Sequence, residues 1–103
     1  MISREQFSAA VERLAQAAQP ERILLFGSHA RGETQEGSDL DLLVIETEVP
    51  DRAAKMVRLR RLLRPLRIPV DILVYSHADV ERWGNQPRST LFWALRVGKV
   101  IYG

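Results

Sequence analysis

Apolar side chains recur along this chain with two different periods. Residues 4–18 carry one every three or four positions, which is the spacing of an amphipathic helix, and Ser3 with Gln6 matches a capping box at its start. Three apolar segments, 22–26, 39–46 and 70–75, are too short for helices and are bounded by proline, glycine or polar residues. These segments predict buried strands.

Further helices are predicted between and after these strands. Residues 51–65 carry an apolar stripe at helical spacing, Ser76 can cap a helix through Trp83, and residues 86–98 predict a last helix. The segment 99–103 predicts a short fourth strand. The order α-β-β-α-β-α-α-β alternates strands with helices, and it favours an α+β fold, α/β-like in character, with helices packed on a small mixed β-sheet.

Length and composition fit one globular domain, which we expect to span residues 1–103. Hydrophobic residues make up 46% and charged residues 27%, which is ordinary for a soluble protein with a packed core. The absence of cysteine excludes disulfides and thiolate metal sites. No segment resembles a signal peptide or reaches the roughly 18 apolar residues of a membrane span, so we expect a cytoplasmic protein that does not enter membranes.

Basic and acidic residues are segregated along the chain, although the net charge is only +2. Seven basic residues fall between Arg52 and Arg67. Leucines interleave with them at helical spacing, so we expect an amphipathic helix with a solvated basic face. Direct binding of nucleic acid by this helix is an alternative that we do not favour.

Two aspartates, one residue apart, stand at the head of the second predicted strand. Asp39 and Asp41 share one side of that strand, and Asp71 lies near the start of the third. If these strands are neighbours, three carboxylates converge at one end of the sheet. Their mutual repulsion calls for a divalent cation, and oxygen donors alone favour Mg²⁺ or Mn²⁺.

A Gly-Ser pair ends the first predicted strand. Gly27 lets backbone approach a ligand closely, Ser28 can hold phosphate oxygens at a helix N-terminus, and Arg31 follows one turn later. A phosphate-holding turn beside clustered carboxylates is the arrangement used in metal-assisted nucleotidyl transfer. Each signal alone is more often an ordinary turn or strand end; their combination favours a site.

The stretch "GSHARGETQEGSDLDLLV" resembles the signature of the nucleotidyltransferase superfamily that includes DNA polymerase beta and kanamycin nucleotidyltransferase. In that signature Gly-Ser is followed by ten residues and then by Asp-x-Asp. The segment "PVDILVYS" is similar to the strand that carries the third acid. The ending "LRVGKVIYG" is similar to the minimal nucleotidyltransferases of bacteria and archaea.

This resemblance implies a fold, a reaction and a catalytic set. The fold is the palm-like nucleotidyltransferase core, and the reaction is transfer of a nucleoside monophosphate, AMP from ATP, to an acceptor hydroxyl. Asp39 and Asp41 would bind both metal ions, Mg²⁺ or Mn²⁺, and Asp71 would complete the metal site and help to activate the acceptor.

The resemblance also implies a phosphate-binding loop and a protein partner. Gly27 and Ser28 would hold the triphosphate of ATP or another NTP, and Arg31 would hold phosphate or brace the loop. Minimal nucleotidyltransferases are accompanied by a helical HEPN-domain protein. In such toxin–antitoxin pairs the nucleotidyltransferase is the antitoxin, in some cases by adding AMP to the toxin.

A single small lobe leaves the acceptor without a second wall, so we expect a partner protein or another copy of this chain to supply it. Trp83, Phe92 and Trp93 are expected in the core or at that interface, and His29 and His77 at the surface. Two other classes remain as alternatives. One is a module that neutralises its partner by binding alone; the other is a small nucleic-acid-binding domain.

Overall fold

The computed structural model describes residues 3–27 and 40–103. Within these ranges the secondary structure comprises α1 (Arg4–Ala18), β1 (Arg22–Phe26), β2 (Leu40–Glu46), α2 (Arg52–Leu63), a 3₁₀ helix (Arg64–Leu66), β3 (Val70–Ser76), α3 (His77–Trp83), α4 (Thr90–Val97) and β4 (Lys99–Tyr102). Every strand and helix predicted for the described residues is therefore present. The predictions for Ser28, His29, Arg31 and Asp39 lie outside these ranges.

Side-chain caps determine where three of the helices begin. Ser3 and Gln6 form the predicted capping box at α1, and Ser76 and Asp79 form a second one at α3. The side chain of Asp51 accepts a hydrogen bond at the start of α2. These caps satisfy backbone N–H groups that the first helical turn leaves without an intrahelical partner.

Two helix boundaries differ from the prediction. α2 ends at Leu63 and continues as a 3₁₀ turn, because the ring of Pro65 cannot fit inside an α-helix and has no N–H to donate. α4 begins at Thr90 rather than at residue 86. The side chain of Ser89 accepts a hydrogen bond from the backbone N–H of Leu91 and so caps the helix there.

The four strands form one mixed sheet in the order β3-β2-β1-β4. β1 pairs antiparallel with both β2 and β4, whereas β2 and β3 pair parallel and are connected through α2. Because β2 and β3 run in the same direction, their N-terminal ends lie at the same end of the sheet. That end carries the predicted acids of both strands.

Helices cover both faces of the sheet, and each face has its own apolar cluster. The cluster under α1 and α2 consists of Ala10, Leu14, Ala18, Ile23, Leu40, Leu42, Val44, Leu59, Leu63, Ile72 and Val74. The cluster under α3 and α4 consists of Leu24, Leu43, Ile45, Leu91 and Ala94, with Val80 packed against it. β2 is therefore buried on both faces, as its continuous apolar sequence indicates.

The aromatic residues expected in the core or at an interface divide between the core and the exposed surface. Phe92 is 9% exposed and belongs to the buried face of α4, whereas Trp83 and Trp93 are 44% and 54% exposed. The indole N–H of Trp93 donates to the carbonyl of Pro87 at 2.8 Å. Among the helices of the described ranges, none has the length and apolar character needed to cross a membrane.

Candidate active site

The parallel strand pair brings two of the predicted acids together. Asp41 of β2 and Asp71 of β3 are direct register partners. Neighbouring strands lie about 4.8 Å apart, and directly opposite residues point to the same face. The two carboxylates are therefore neighbours at the N-terminal ends of these strands, on the face that α3 and α4 cover farther along.

Gly27 lies directly beside Asp41. It follows Phe26, which is the antiparallel register partner of Asp41, and it has a φ of +75°. A Cβ atom added to Gly27 would overlap Oδ2 of Asp41 and would lie 3.1 Å from Cγ of that residue. Glycine is thus favoured at this position both by the left-handed backbone and by the space that the carboxylate occupies.

The close approach at Gly27 differs from what the sequence suggested. We predicted that glycine here lets backbone approach a phosphate, and the described residues show it leaving room for the Asp41 side chain. The two roles are compatible, because the turn that would hold phosphate begins at Ser28, outside the described ranges. Gly27 therefore joins the predicted phosphate loop to the predicted metal site.

Arg60 contacts the second acid. Its Nη2 atom donates to Oδ1 of Asp71 at 2.9 Å, and both side chains are 49% exposed. Sequence reasoning treated Arg60 as one charge on a solvated basic face and missed this contact. The contact depends on α2 packing beside β3, the strand at the edge of the sheet, and helical spacing alone does not reveal it.

The described residues supply part of the predicted site. Ser28, Arg31 and Asp39 lie outside the described ranges, and Gly27, Asp41 and Asp71 lie inside them. Within residues 3–27 and 40–103, no group of three or more His, Cys, Asp or Glu side chains is placed to hold a metal ion. The roles predicted for all six residues accordingly remain predictions.

The chemistry of the two described acids fits a hard divalent cation. Asp41 and Asp71 offer only oxygen donors, which Mg²⁺ and Mn²⁺ prefer, and two neighbouring carboxylates repel each other without a positive charge nearby. Because Gly27 has no side chain, Oδ2 of Asp41 can lie at this end of the sheet without a steric clash. Asp41 and Asp71, with Asp39, are thus the residues that could hold such a cation.

A second cluster of charges lies at the opposite end of β3. Nδ1 of His77 is 3.0 Å from Oε2 of Glu21, and Nε2 is 3.0 Å from Oε1 of Glu81. The hydrogen bond that the carboxylate of Glu21 accepts from His77 is the main cause that raises the pKa of His77, and the same bond lowers the pKa of Glu21. His77 lies six positions after Asp71, about 20 Å of extended chain, so this cluster is distinct from the candidate site.

One charged side chain is buried at that same end of the sheet. Glu46 is 7% exposed, and its Oε1 atom lies 3.1 Å from Nζ of Lys55 in α2. Its other oxygen, Oε2, is buried without a hydrogen-bond partner among the described residues. Glu46 is the last residue of the second predicted strand, and nothing in the sequence alone indicates that its side chain is buried.

One relative is similar in sequence to part of this chain. A protein of Methanocaldococcus jannaschii, provisionally named a protein adenylyltransferase, is 35% identical over 54 residues, which is 52% of this chain and 54% of that protein. The chain thus matches about half the length of this relative.

Two solved structures are similar to the fold. A crystal structure from Sulfolobus solfataricus, provisionally described as a nucleotidyltransferase, is 26% identical with a TM-score of 0.59, covering 76% of this chain and 70% of its own. A chain from the crystal structure of a toxin–antitoxin with AMP-PNP is 24% identical with a TM-score of 0.65, covering 92% and 72%. At that identity the second likeness shows the fold alone.

A family model extends this likeness to nearly the whole chain. The model of the nucleotidyltransferase domain matches residues 4–97, from the first residue of α1 to the last residue of α4. The match includes the strand pair that carries Asp41 and Asp71. On this match, together with the sheet that places its two acids side by side, the chain belongs to the nucleotidyltransferase domain family.

Proposed function

We propose that this protein transfers AMP from ATP to a hydroxyl group of a partner protein in a reaction that depends on a divalent metal ion. The register pairing of Asp41 with Asp71, next to Gly27, whose missing side chain leaves room for the Asp41 carboxylate, is the observation that carries the proposal. Family membership supports the reaction class. The name of the Methanocaldococcus relative supports AMP as the group and protein as the acceptor, over the half of its length that matches.

The three acids have distinct roles in this proposal. Asp39 and Asp41 hold the cations, Mg²⁺ or Mn²⁺, and Asp71 completes the set. When bound, the cations neutralise charge on the phosphates and lower the pKa of the acceptor hydroxyl. Asp71 orients that hydroxyl and accepts its proton as the oxygen attacks the α-phosphorus of ATP. The bond from the α-phosphorus to the bridging oxygen breaks, and pyrophosphate leaves.

The turn after β1 positions the nucleotide. We assign the triphosphate to Gly27 and Ser28, with Arg31 as a further phosphate contact or a brace of the loop. Gly27 has a left-handed backbone and lies next to Asp41, so phosphates held at Gly27 and Ser28 would lie beside the acids. Positioning of this kind supplies much of the acceleration in phosphoryl transfer.

The acceptor, in our proposal, is a HEPN-domain protein, and the pair acts as toxin and antitoxin. This part rests on the resemblance to minimal nucleotidyltransferases, and the toxin–antitoxin structure among the fold neighbours motivates the choice of partner to test. Exposed Trp83 and Trp93 offer the aromatic side chains that are enriched at protein interfaces. A second copy of this chain could use the same surfaces when the partner is absent.

Mass analysis of the partner tests this function. The protein would be incubated with ATP, Mg²⁺ and the product of the adjacent gene, as the candidate HEPN-domain partner, and the intact masses of both chains would be measured. We expect the partner to gain AMP with the wild type and with Glu48→Gln, a control at an exposed acid two residues beyond the end of β2, but not with Asp41→Asn. A tight complex whose partner never gains mass would instead indicate a module that acts by binding alone.

A further inference from the structure

We propose that Arg60 is the counter-ion of Asp71 and that its positive charge opposes binding of the divalent cation to this carboxylate. Arg60 thereby makes the acid pair less costly to fold without metal and weakens the affinity of the site for metal. This inference rests on the function proposed above, because it takes Asp71 to be part of the cation site.

The guanidinium of Arg60 places a positive charge directly on the carboxylate of Asp71. Nη2 of Arg60 donates to Oδ1 of Asp71 at 2.9 Å, the short distance typical of a charge-assisted hydrogen bond. Asp71 is in turn the register partner of Asp41. Because this contact engages Oδ1, the carboxylate retains a second oxygen, Oδ2, with which it can bind a cation at the same time.

The position of Arg60 is determined by a helix rather than by a loop. Its neighbours Leu59 and Leu63 are 0% and 1% exposed. They anchor α2 in the apolar cluster that α1, α2 and the sheet share. α2 also packs along β3, the edge strand that carries Asp71. The guanidinium therefore reaches the edge of the sheet from a fixed backbone position.

The positive charge of Arg60 attracts the two carboxylates and repels a bound cation. Two carboxylates on neighbouring strands repel, and the positive charge of Arg60 offsets part of this repulsion. A divalent cation that binds Asp41 and Asp71 brings its own positive charge to the same pair of carboxylates and is repelled by the guanidinium. The same side chain thus stabilises the protein without metal and opposes uptake of the metal.

Other arginines of α2 provide a matched comparison. Arg58 and Arg61 line a groove on the helix together with Val57 and Asp51, rather than contacting Asp71. Replacing Arg58 by methionine removes the same unit of charge from the same helix. Any effect of net charge alone would therefore appear equally in Arg58→Met and Arg60→Met.

Binding of Mn²⁺, measured by electron paramagnetic resonance of the free ion at low ionic strength, tests the role of Arg60. Since the pair is half exposed, we expect Arg60→Met to bind Mn²⁺ about threefold more tightly than Arg58→Met, and Arg60→Lys to resemble the wild type. High salt should reduce the difference. In EDTA, Arg60→Met should melt below Arg58→Met. Arg60→Gln gives the same comparison if the methionine variant does not fold.

The outcomes separate this inference from the proposed function. Equal Mn²⁺ affinity of Arg60→Met and Arg58→Met would overturn the role of Arg60 while leaving the site intact, provided that Asp41→Asn loses the binding. Weaker binding by Arg60→Met would also overturn it, because Arg60 would then orient Asp71 for the metal rather than oppose its binding. A wild type that binds no Mn²⁺ would overturn the proposed metal site itself.

Discussion

Replacing Gly27 by alanine is expected to cost much more stability when Asp41 carries its carboxylate than when it does not. The φ of +75° alone costs an L-residue about 1–2 kcal/mol relative to glycine. The added Cβ would also overlap Oδ2 of Asp41, which has to leave its rotamer at a further cost of about 1 kcal/mol. The total expected for Gly27→Ala in the wild type is therefore about 2–3 kcal/mol.

The second part of this cost should vanish in Asp41→Ala. Of the three atoms nearest to the new methyl group, only the Cβ atom of residue 41 then remains, at 3.4 Å, which is an ordinary van der Waals contact. Urea unfolding of the wild type, the two single variants and the double variant gives the coupling free energy, which we expect to be about 1 kcal/mol. An equal cost of Gly27→Ala in both backgrounds would refute the proposed steric contact.

Asp71→Ala provides the control background for this cycle. Asp71 is another acid of the site, but the atoms nearest to an added Cβ at Gly27 all belong to Asp41. The effects of Gly27→Ala and Asp71→Ala should therefore add. The same displacement of Asp41 should weaken Mn²⁺ binding by Gly27→Ala, although Gly27 itself supplies no ligand atom.

Two further predictions concern the opposite end of the sheet. Glu21 raises the pKa of His77 above 6.5, so the protonated histidine contributes its full stability below pH 6.5. This stability is lost as the pH rises through the raised pKa. Thermal melts of His77→Ala should not show this loss. The pKa of Glu21 is lowered from 4.5, so its share is lost as the pH falls below that value, and Glu21→Gln should remove it. Lys55→Met should destabilise the fold by about 2–3 kcal/mol in urea unfolding, because Glu46 would remain buried and unpaired, whereas adding Glu46→Leu should recover most of that loss. No recovery in that double variant would show that Lys55 acts through packing alone.

Local sequence signals predicted the local structure well. The capping box of Ser3 and Gln6 and the apolar spacing after it specify α1 without help from the rest of the chain. The predicted first residue of α4 was wrong, because residues 86–88 form a turn and Ser89 caps the helix after it. Several polar residues in this segment could cap the helix. The free-energy differences between these capping positions are small, and the sequence pattern does not show which position is favoured.

Contacts between distant segments could be predicted only in part. The alternation of Asp41 and Asp71 with apolar residues indicated that both acids could meet, on the condition that their strands were neighbours. The contact of Gly27 with Asp41 depends on the antiparallel register of β1 and β2, and that of Arg60 depends on how α2 lies along β3. Register and helix placement follow from the packing of the whole core, which no single segment encodes.

The central claim is that Asp41 and Asp71 form a cation-dependent nucleotide site, and calorimetric titration with ATP tests it most directly. We expect the wild type and Glu48→Gln to bind ATP with Mg²⁺ and to bind it far more weakly in EDTA. Asp41→Asn, which we expect to fold without metal, should lose the Mg²⁺-dependent gain. Equal ATP affinity of the wild type and Asp41→Asn, with and without Mg²⁺, would contradict the account.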